Sequence, residues 1–281
     1  MNFHSASALY AGSTEPALEQ CYDRLAASGI RELDDWTKEN LANFRPRHLL
    51  LARALQSHLS GNRDSIMDIG CHNGFFLRLI SEAGLVFKRP LAVDYFELPP
   101  ERSFIAGLPG VEFLKRNFNE DGFLEDFPQR SVDCVVSTEV FEHLYHHPLG
   151  YLEQCLRVLR PGGLLLLSTP NPCTLANGLR LALGKPISWG GVAFARTPKI
   201  ASKGQPIAVW DIHFREYAAA ELREIINSLP ATRILESGFI ASAAASKDAF
   251  ARKLAKTMAF KLGLGYWRPL AATQYMVVQK V

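Results

Sequence analysis

Apolar runs separated by polar turns fill the middle of the chain and predict alternating strands and helices. Residues 66–69, interrupted only by Asp68, form a short apolar run typical of a buried strand, and residues 75–80 follow with the spacing of a helix start. Residues 91–93 form a second such strand. Strands that alternate with helices are joined by right-handed crossovers into a parallel sheet. We therefore expect an α/β fold with a doubly wound, mostly parallel sheet over residues 61–170.

Helices are predicted before this region, and both kinds of element after it. Segments 16–27 and 46–59 carry apolar residues at helical spacing, so we expect residues 1–60 to form a helical cap and residues 61–281 to form the main domain. The later elements that the pattern predicts are a helix over 218–229 and strands over 233–239 and 274–279.

Residues 171–214 interrupt this rhythm with nine glycines and prolines. Such a segment is typical of a functional loop, and we expect a lid over the site. Between Asn171 and Trp210 it holds five Lys or Arg and no acid. This charge balance favours an anionic acceptor in one interpretation and a solvated loop in another.

Residues 241–281 are also basic, with seven Lys or Arg against one Asp, and apolar positions four apart predict a helix around 245–262. Such a helix touches an anionic membrane surface in one interpretation and presents a solvated face in the other.

The five cysteines have no C-x-x-C spacing, which argues against a disulfide framework and a thiolate zinc site. The N-terminus has no basic region followed by an apolar run, and no stretch reaches the roughly 18 apolar residues of a spanning helix. We therefore expect a cytoplasmic protein without a transmembrane segment.

A turn bounded by two glycines follows the first predicted strand and marks the candidate ligand site. Asp68 stands near the carboxyl end of that strand, and Gly70 and Gly74 enclose the turn. In a parallel sheet this end of the strands faces the ligand crevice, where glycine lets the backbone bend or approach a ligand. Asp94 ends the next strand 20 residues after Gly74, a position typical of an acid that accepts both hydroxyls of a ribose.

The glycine pattern also narrows the class of ligand. The turn reads Gly-Cys-His-Asn-Gly-Phe over residues 70–75, so it lacks both the pattern G-x-G-x-x-G and the Lys-Ser or Lys-Thr ending of a P-loop. A pyrophosphate needs those close-approach glycines. A nucleoside without phosphates therefore fits the turn better.

Four motifs in order resemble those of the class I S-adenosylmethionine-dependent methyltransferases. They are Asp-Ile-Gly-Cys-His-Asn-Gly at 68–74, Val-Asp at 93–94, Asp-Cys-Val-Val-Ser-Thr-Glu-Val-Phe-Glu-His at 133–143 and Leu-Arg-Pro-Gly-Gly at 159–163. The resemblance implies a seven-stranded, Rossmann-like sheet, S-adenosyl-L-methionine as cofactor and methyltransferase activity, in a branch similar to small-molecule and ubiquinone-pathway O-methyltransferases. It covers residues 60–170 closely and says little about the methyl acceptor.

The resemblance also assigns residues to the cofactor. Gly70 and Gly74 would meet its methionine end, Asp94 its ribose, and Asn117 its adenine amino group, unless Asn117 only caps the turn that follows. His72 stands where the family usually has Gly, so either the backbone tolerates a side chain there or the imidazole reaches the methionine pocket. The cofactor-binding residues implied in this way are Asp68, Gly70, His72, Gly74, Asp94, Asn117 and Glu139.

The segment 139–143 carries the candidate chemistry. Glu139, Glu142 and His143 have the i, i+3, i+4 spacing that places side chains on one face of a helix start. In one interpretation the glutamates fix the cofactor and the helix, while His143 removes a proton from an acceptor hydroxyl. In another, these residues and His213 bind Mg²⁺ or Mn²⁺, because the set resembles the metal ligands of small-RNA 2′-O-methyltransferases and ubiquinone-pathway enzymes. A structural role is the third. His143 and His213 are the candidate catalytic residues.

These observations predict an enzyme that moves the sulfonium methyl group to an oxygen of a small molecule or of a glycan or lipid precursor. Most of the catalysis would come from positioning the two reactants. One alternative is a metal-assisted RNA 2′-O-methyltransferase, which the absence of an RNA-recognition motif disfavours. Another is a silent scaffold that binds S-adenosylmethionine. The sequence leaves the oligomeric state open.

Overall fold

The computed structural model describes residues 15–27, 35–59, 64–97, 103–145, 147–187, 212–240 and 271–281. The centre of the expected lid and the expected basic helix around 245–262 lie outside these residues. The helices are α1 (Glu15–Ala27), α2 (Asp35–His58), α3 (Phe75–Glu82), α4 (Pro148–Val158), α5 (Leu175–Ala182) and α6 (Ala219–Ser228). The strands are β1 (Ser65–Ile69), β2 (Arg89–Asp94), β3 (Glu112–Lys115), β4 (Val132–Thr138), β5 (Leu159–Pro170), β6 (Thr232–Ile240) and β7 (Thr273–Lys280).

The strands form one seven-stranded sheet in the order β3-β2-β1-β4-β5-β7-β6. Strands β1 to β5 pair in parallel, whereas β7 runs antiparallel between β5 and β6. The order reverses at β1 and β4, and in an open α/β sheet the crevice beyond the carboxyl ends of such strands is the usual ligand site. The predicted fold class, with a mostly parallel seven-stranded sheet, is confirmed.

Both faces of the sheet are covered, which explains why its central strands are mostly apolar. All five residues of β1 are buried. Ile66 joins a core with α1, α2 and α3, while Met67 and Ile69 join a second core with α4 and α6. Successive strand residues point to opposite faces, so one short strand contributes side chains to both cores.

The N-terminal helices pack against the start of α3. The Tyr22 hydroxyl donates to the Leu41 carbonyl at 2.6 Å and so ties α1 to α2, and the His48 ring stacks on Phe75 with centroids 5.4 Å apart. The prediction that the second helix begins at Pro46 was wrong, because α2 begins at Asp35 and continues through that proline. Proline removes one backbone hydrogen bond of the helix interior, yet the helix continues on both sides of it. The domain boundary at residue 60 stays a prediction.

Among the described residues, no helix is both long enough and apolar enough to cross a membrane.

Candidate functional site

The glycine turn between β1 and α3 folds back on β2. The backbone N–H groups of Gly70 and Cys71 both donate to the Val93 carbonyl, at 2.8 and 3.2 Å. Gly70 has φ 73°, and a β-carbon there would overlap the Val140 side chain from the loop after β4. Glycine is thus required by backbone conformation and by a packed neighbour, so the turn lies directly against the loop that carries the candidate chemistry.

Asp94 anchors the next turn at the end of β2. Its carboxylate accepts hydrogen bonds from the backbone N–H groups of His72 at 2.8 Å, Tyr95 at 2.7 Å and Phe96 at 3.3 Å. His72 has φ 49° and an exposed side chain. The backbone therefore tolerates a side chain at this position, and the peptide N–H of His72 supports Asp94.

Asp68 and Asp94 form a buried acidic pair on neighbouring strands. Burial raises the pKa of Asp68 to about 8, and the nearby charge of Asp94 adds to this effect. Burial also raises the pKa of Asp94, although the three backbone N–H donors oppose the rise. Asp68 is therefore mostly protonated at neutral pH, which leaves Asp94 as the carboxylate that can accept from a ligand.

Asn117 and Asn119 are buried in the turn after β3. The Asn117 side-chain oxygen accepts the Asn119 backbone N–H at 3.1 Å. The turn-capping alternative for Asn117 is thus observed, but an amide oxygen has two lone pairs, so it can also accept from a ligand.

The spacing of Glu139, Glu142 and His143 predicted that they share one face of an α-helix, but in the structure they do not. Glu139 has a left-handed φ of 53°, and only Phe141–His143 are helical, in a single 3-10 turn. Because Glu139 has a left-handed conformation and precedes the 3-10 turn, its side chain does not share a helical face with the other two. The prediction of one three-residue face was therefore wrong.

Glu139 instead pairs with Arg47 of α2, a residue that no motif indicated. An Arg47 guanidinium nitrogen lies 3.4 Å from a Glu139 carboxylate oxygen, and Arg47 Nε is buried without a hydrogen-bond partner among the described residues. The Phe44 ring lies 4.8 Å from the guanidinium. Because Glu139 adjoins Val140, whose side chain packs on Gly70, this cation lies near the glycine turn. The contact spans 92 residues of sequence, so spacing within a motif could not reveal it.

Glu142, His143 and His213 do come together. One ligand atom from each lies within 4.8 Å of the other two. The 3-10 turn supplies the first two residues, and the segment before α6 supplies His213, with the Phe214 N–H donating to the Glu142 carbonyl at 2.8 Å. The structure thus unites both candidate catalytic histidines with Glu142 but leaves Glu139 out of the cluster.

Hydrogen bonds show that Nδ1 carries a proton in both rings. His143 Nδ1 lies 2.9 Å from the Ile212 carbonyl, which can only accept, so Nδ1 carries the proton. His213 Nδ1 lies 2.8 Å from a Glu216 carboxylate oxygen, with the same consequence. The Nε2 atom of each neutral ring is then the lone-pair nitrogen, which is able to take a proton or bind a cation.

Glu142 is the buried acid of the cluster. One carboxylate oxygen accepts from the Thr169 hydroxyl at 2.9 Å, while the other, Oε1, has no hydrogen-bond partner within the described ranges. Burial raises the pKa of Glu142 well above its ordinary value, and the charge of Glu139 raises it further. An orphaned buried acceptor is costly, and a proton or a cation would relieve that cost.

Comparison with known proteins gives a consistent family. The sequence profile described as a methyltransferase domain matches residues 27–234. A Mycolicibacterium smegmatis protein named as a probable S-adenosylmethionine-dependent methyltransferase is 34% identical over 154 residues, covering 55% of each chain. A ubiquinone biosynthesis O-methyltransferase from Xanthomonas oryzae is 31% identical over 153 residues, covering 53% of this chain and 60% of its own. The chain thus spans little more than half the length of these curated relatives.

Solved structures share the fold at low sequence identity. An S-adenosylmethionine-dependent methyltransferase from Archaeoglobus fulgidus aligns with a TM-score of 0.53 and 17% identity, covering 88% of this chain and 100% of its own. A loganic acid methyltransferase solved with S-adenosylhomocysteine aligns with a TM-score of 0.53 and 12% identity, covering 85% and 93%.

Proposed function

Because the chain belongs to the S-adenosylmethionine-dependent methyltransferases, we propose that it transfers the cofactor's methyl group to an oxygen of a small molecule or of a glycan or lipid precursor. The observation that carries the proposal is the cluster of two imidazoles and one buried carboxyl, Glu142, His143 and His213. It lies after β4, beside the loop that packs on the glycine turn. The names of the ubiquinone-pathway relatives also support an oxygen acceptor.

The described residues fit the cofactor. Asp94 accepts the two ribose hydroxyls, and Asn117 accepts from the adenine amino group. Arg47, which has an orphaned buried Nε, pairs with the methionine carboxylate at the glycine turn. The Arg47 Nε atom is already desolvated, so an anionic partner at this atom restores the hydrogen bond that burial removed.

S-adenosylmethionine supplies an electrophilic methyl group on its sulfonium. The protein holds the acceptor oxygen in line with that methyl group and removes the proton of the acceptor hydroxyl. His143 Nε2 receives this proton, because Nδ1 is already committed to the Ile212 carbonyl. The ring is then positively charged, and this charge favours ionisation of Glu142, whose carboxyl oxygen Oε1 lies 3.8 Å from Nε2.

The same cluster fits a divalent cation. Glu142 Oε1 and the Nε2 atoms of His143 and His213 would hold it, and Ile212 and Glu216 orient the two rings through Nδ1, as second-sphere groups do in metal sites. A bound Mg²⁺ or Mn²⁺ would lower the pKa of the acceptor hydroxyl. We propose this as the metal-assisted form of the same reaction.

The test is transfer of a radiolabelled methyl group to fractions of a cell extract, with and without EDTA and added Mg²⁺ or Mn²⁺. We expect labelled small molecules with wild type and a loss of roughly 10²-fold or more with His143→Gln. His58→Gln is the matched control, because His58 pairs with Glu236 on β6 and lies outside the cluster.

The outcomes separate the alternatives. If wild-type activity requires Mg²⁺ or Mn²⁺ and Glu142→Gln loses this metal-dependent activity, the metal-assisted form is supported. Wild-type activity that EDTA leaves unchanged supports a metal-free base. Label that appears only in RNA contradicts the proposed acceptor class. Cofactor binding without transfer to any fraction supports a silent scaffold.

A further inference from the structure

A buried amide links the adenine side of the site to the segment that carries His143. The Asn119 side chain donates from Nδ2 to the His143 carbonyl at 3.3 Å. Its oxygen accepts the Tyr145 N–H at 2.9 Å. One side chain thus satisfies two backbone groups of the loop after β4, much as a neighbouring strand would.

The same residue is also fixed from the cofactor side. The Asn119 backbone N–H donates to the Asn117 side chain, and the Glu120 N–H donates to the Asn117 carbonyl at 3.0 Å. Asn117 therefore orders the turn that presents Asn119. Both asparagines are buried, which leaves water little room to replace these bonds.

The loop segment needs such support because it has little regular structure of its own. The 3-10 turn ends at His143, and Leu144 is already extended. The ring of His143 is oriented by the Ile212 carbonyl, but its backbone carbonyl depends on Asn119. A shift of that peptide would move Nε2 away from the acceptor oxygen. General-base catalysis is sensitive to the distance between these two atoms.

We propose that Asn119 is a positioning residue that couples occupancy of the adenine site to the placement of His143. Adenine bound to Asn117 further stabilises the 117–119 turn, Asn119 transmits this to the peptides of His143 and Tyr145, and the base is held more firmly when the cofactor is bound. This inference rests on the proposed methyltransferase function.

The variant that isolates this link is Asn119→Asp. The carboxylate keeps the shape and can still accept from Tyr145, but it cannot donate to the His143 carbonyl and repels it instead. The control is Thr232→Val. The Thr232 hydroxyl lies 3.0 Å from the carbonyls of both Ile226 and Leu229 at the opposite edge of the sheet, so this variant also removes side-chain-to-backbone hydrogen bonding.

The measurement is amide hydrogen exchange of residues 140–145 with and without S-adenosylhomocysteine, together with the Kd of that compound from calorimetry. In wild type and in Thr232→Val we expect it to slow exchange of the Tyr145 amide by about 10-fold or more. In Asn119→Asp we expect binding within about 3-fold of wild type but less than about 2-fold protection. A purely structural role would not separate affinity from protection in this way.

Three results would overturn the inference. The first is equal protection in Asn119→Asp and wild type. The second is no protection of Tyr145 in wild type despite tight binding, which needs no variant to fold. The third is no binding of S-adenosylhomocysteine by wild type, which removes the proposed function as well and is thereby distinguished from the other two.

Discussion

Replacing Asp94 with Asn should weaken binding of S-adenosylhomocysteine by about 3 kcal/mol, or ~100-fold in Kd. Asp94 is the one member of the buried acidic pair that can stay ionised at neutral pH. Two ribose hydroxyls bonded to a carboxylate contribute about 1.5–3 kcal/mol each. The Asn side chain keeps one neutral acceptor oxygen. Its N–H₂ group must then face the backbone N–H of either His72 or Tyr95, so that one donor loses its acceptor. The loss is therefore near the lower end of the two-bond range.

Isothermal calorimetry at neutral pH measures the change, and Asp133→Asn is the matched control. Asp133 is also buried on a strand, accepts the backbone N–H of Ser65 at 2.8 Å and pairs with Arg160 at 2.7 Å, but it lies at the amino edge of the sheet. The Asp133→Asn variant should lower the free energy of unfolding without changing the Kd for S-adenosylhomocysteine. A Kd for Asp94→Asn within about 3-fold of wild type would refute the assignment of the ribose to Asp94.

Three further predictions concern the cofactor site. Arg47→Gln should weaken S-adenosylhomocysteine by roughly 10–100-fold but leave adenosine unchanged in calorimetry, since only the former has a carboxylate; equal losses would contradict the assignment. Gly70→Ala should cost about 3 kcal/mol in urea unfolding, and adding Val140→Ala should recover at least ~1 kcal/mol of the summed cost; strict additivity would disprove the overlap. Asp68 has a pKa of about 8 when folded against about 3.9 when unfolded, so its contribution to stability is present below pH ~4 and is lost between pH 4 and 8. The free energy of unfolding of Asp68→Asn should therefore rise relative to wild type over that range, and a constant difference would contradict the pKa.

The part of the site that the sequence predicts is the part built from neighbours along the chain. The strand, glycine turn and helix of residues 65–82 follow from apolar periodicity and from two glycines. Asp94 follows because a second strand of the same kind must end at the same edge of a parallel sheet. These features depend on local conformation and on one topological rule, so a single sequence is enough to place them.

The rest depends on contacts between distant segments. Arg47 reaches Glu139 because α2 packs on α3, and Asn119 reaches His143 because two loops meet above the sheet. No spacing encodes such meetings. The error over residues 139–143 has a local cause: their spacing fits an α-helix, but the left-handed φ of Glu139 begins a single 3-10 turn instead.

The position of β7 between β5 and β6 determines when a growing chain can complete its sheet. This strand lies between β5 and β6, and Gln274 at its start donates to the carbonyls of both Pro170 and Tyr217. The elements that would hold the cofactor all precede residue 171 and can assemble while synthesis continues. The bonds from Gln274 form only after residue 274 leaves the ribosome, and until then β5 lacks its β7 neighbour, so its edge can pair with other strands. The most aggregation-prone interval of a nascent chain is thus the translation of the roughly 100 residues between β5 and β7.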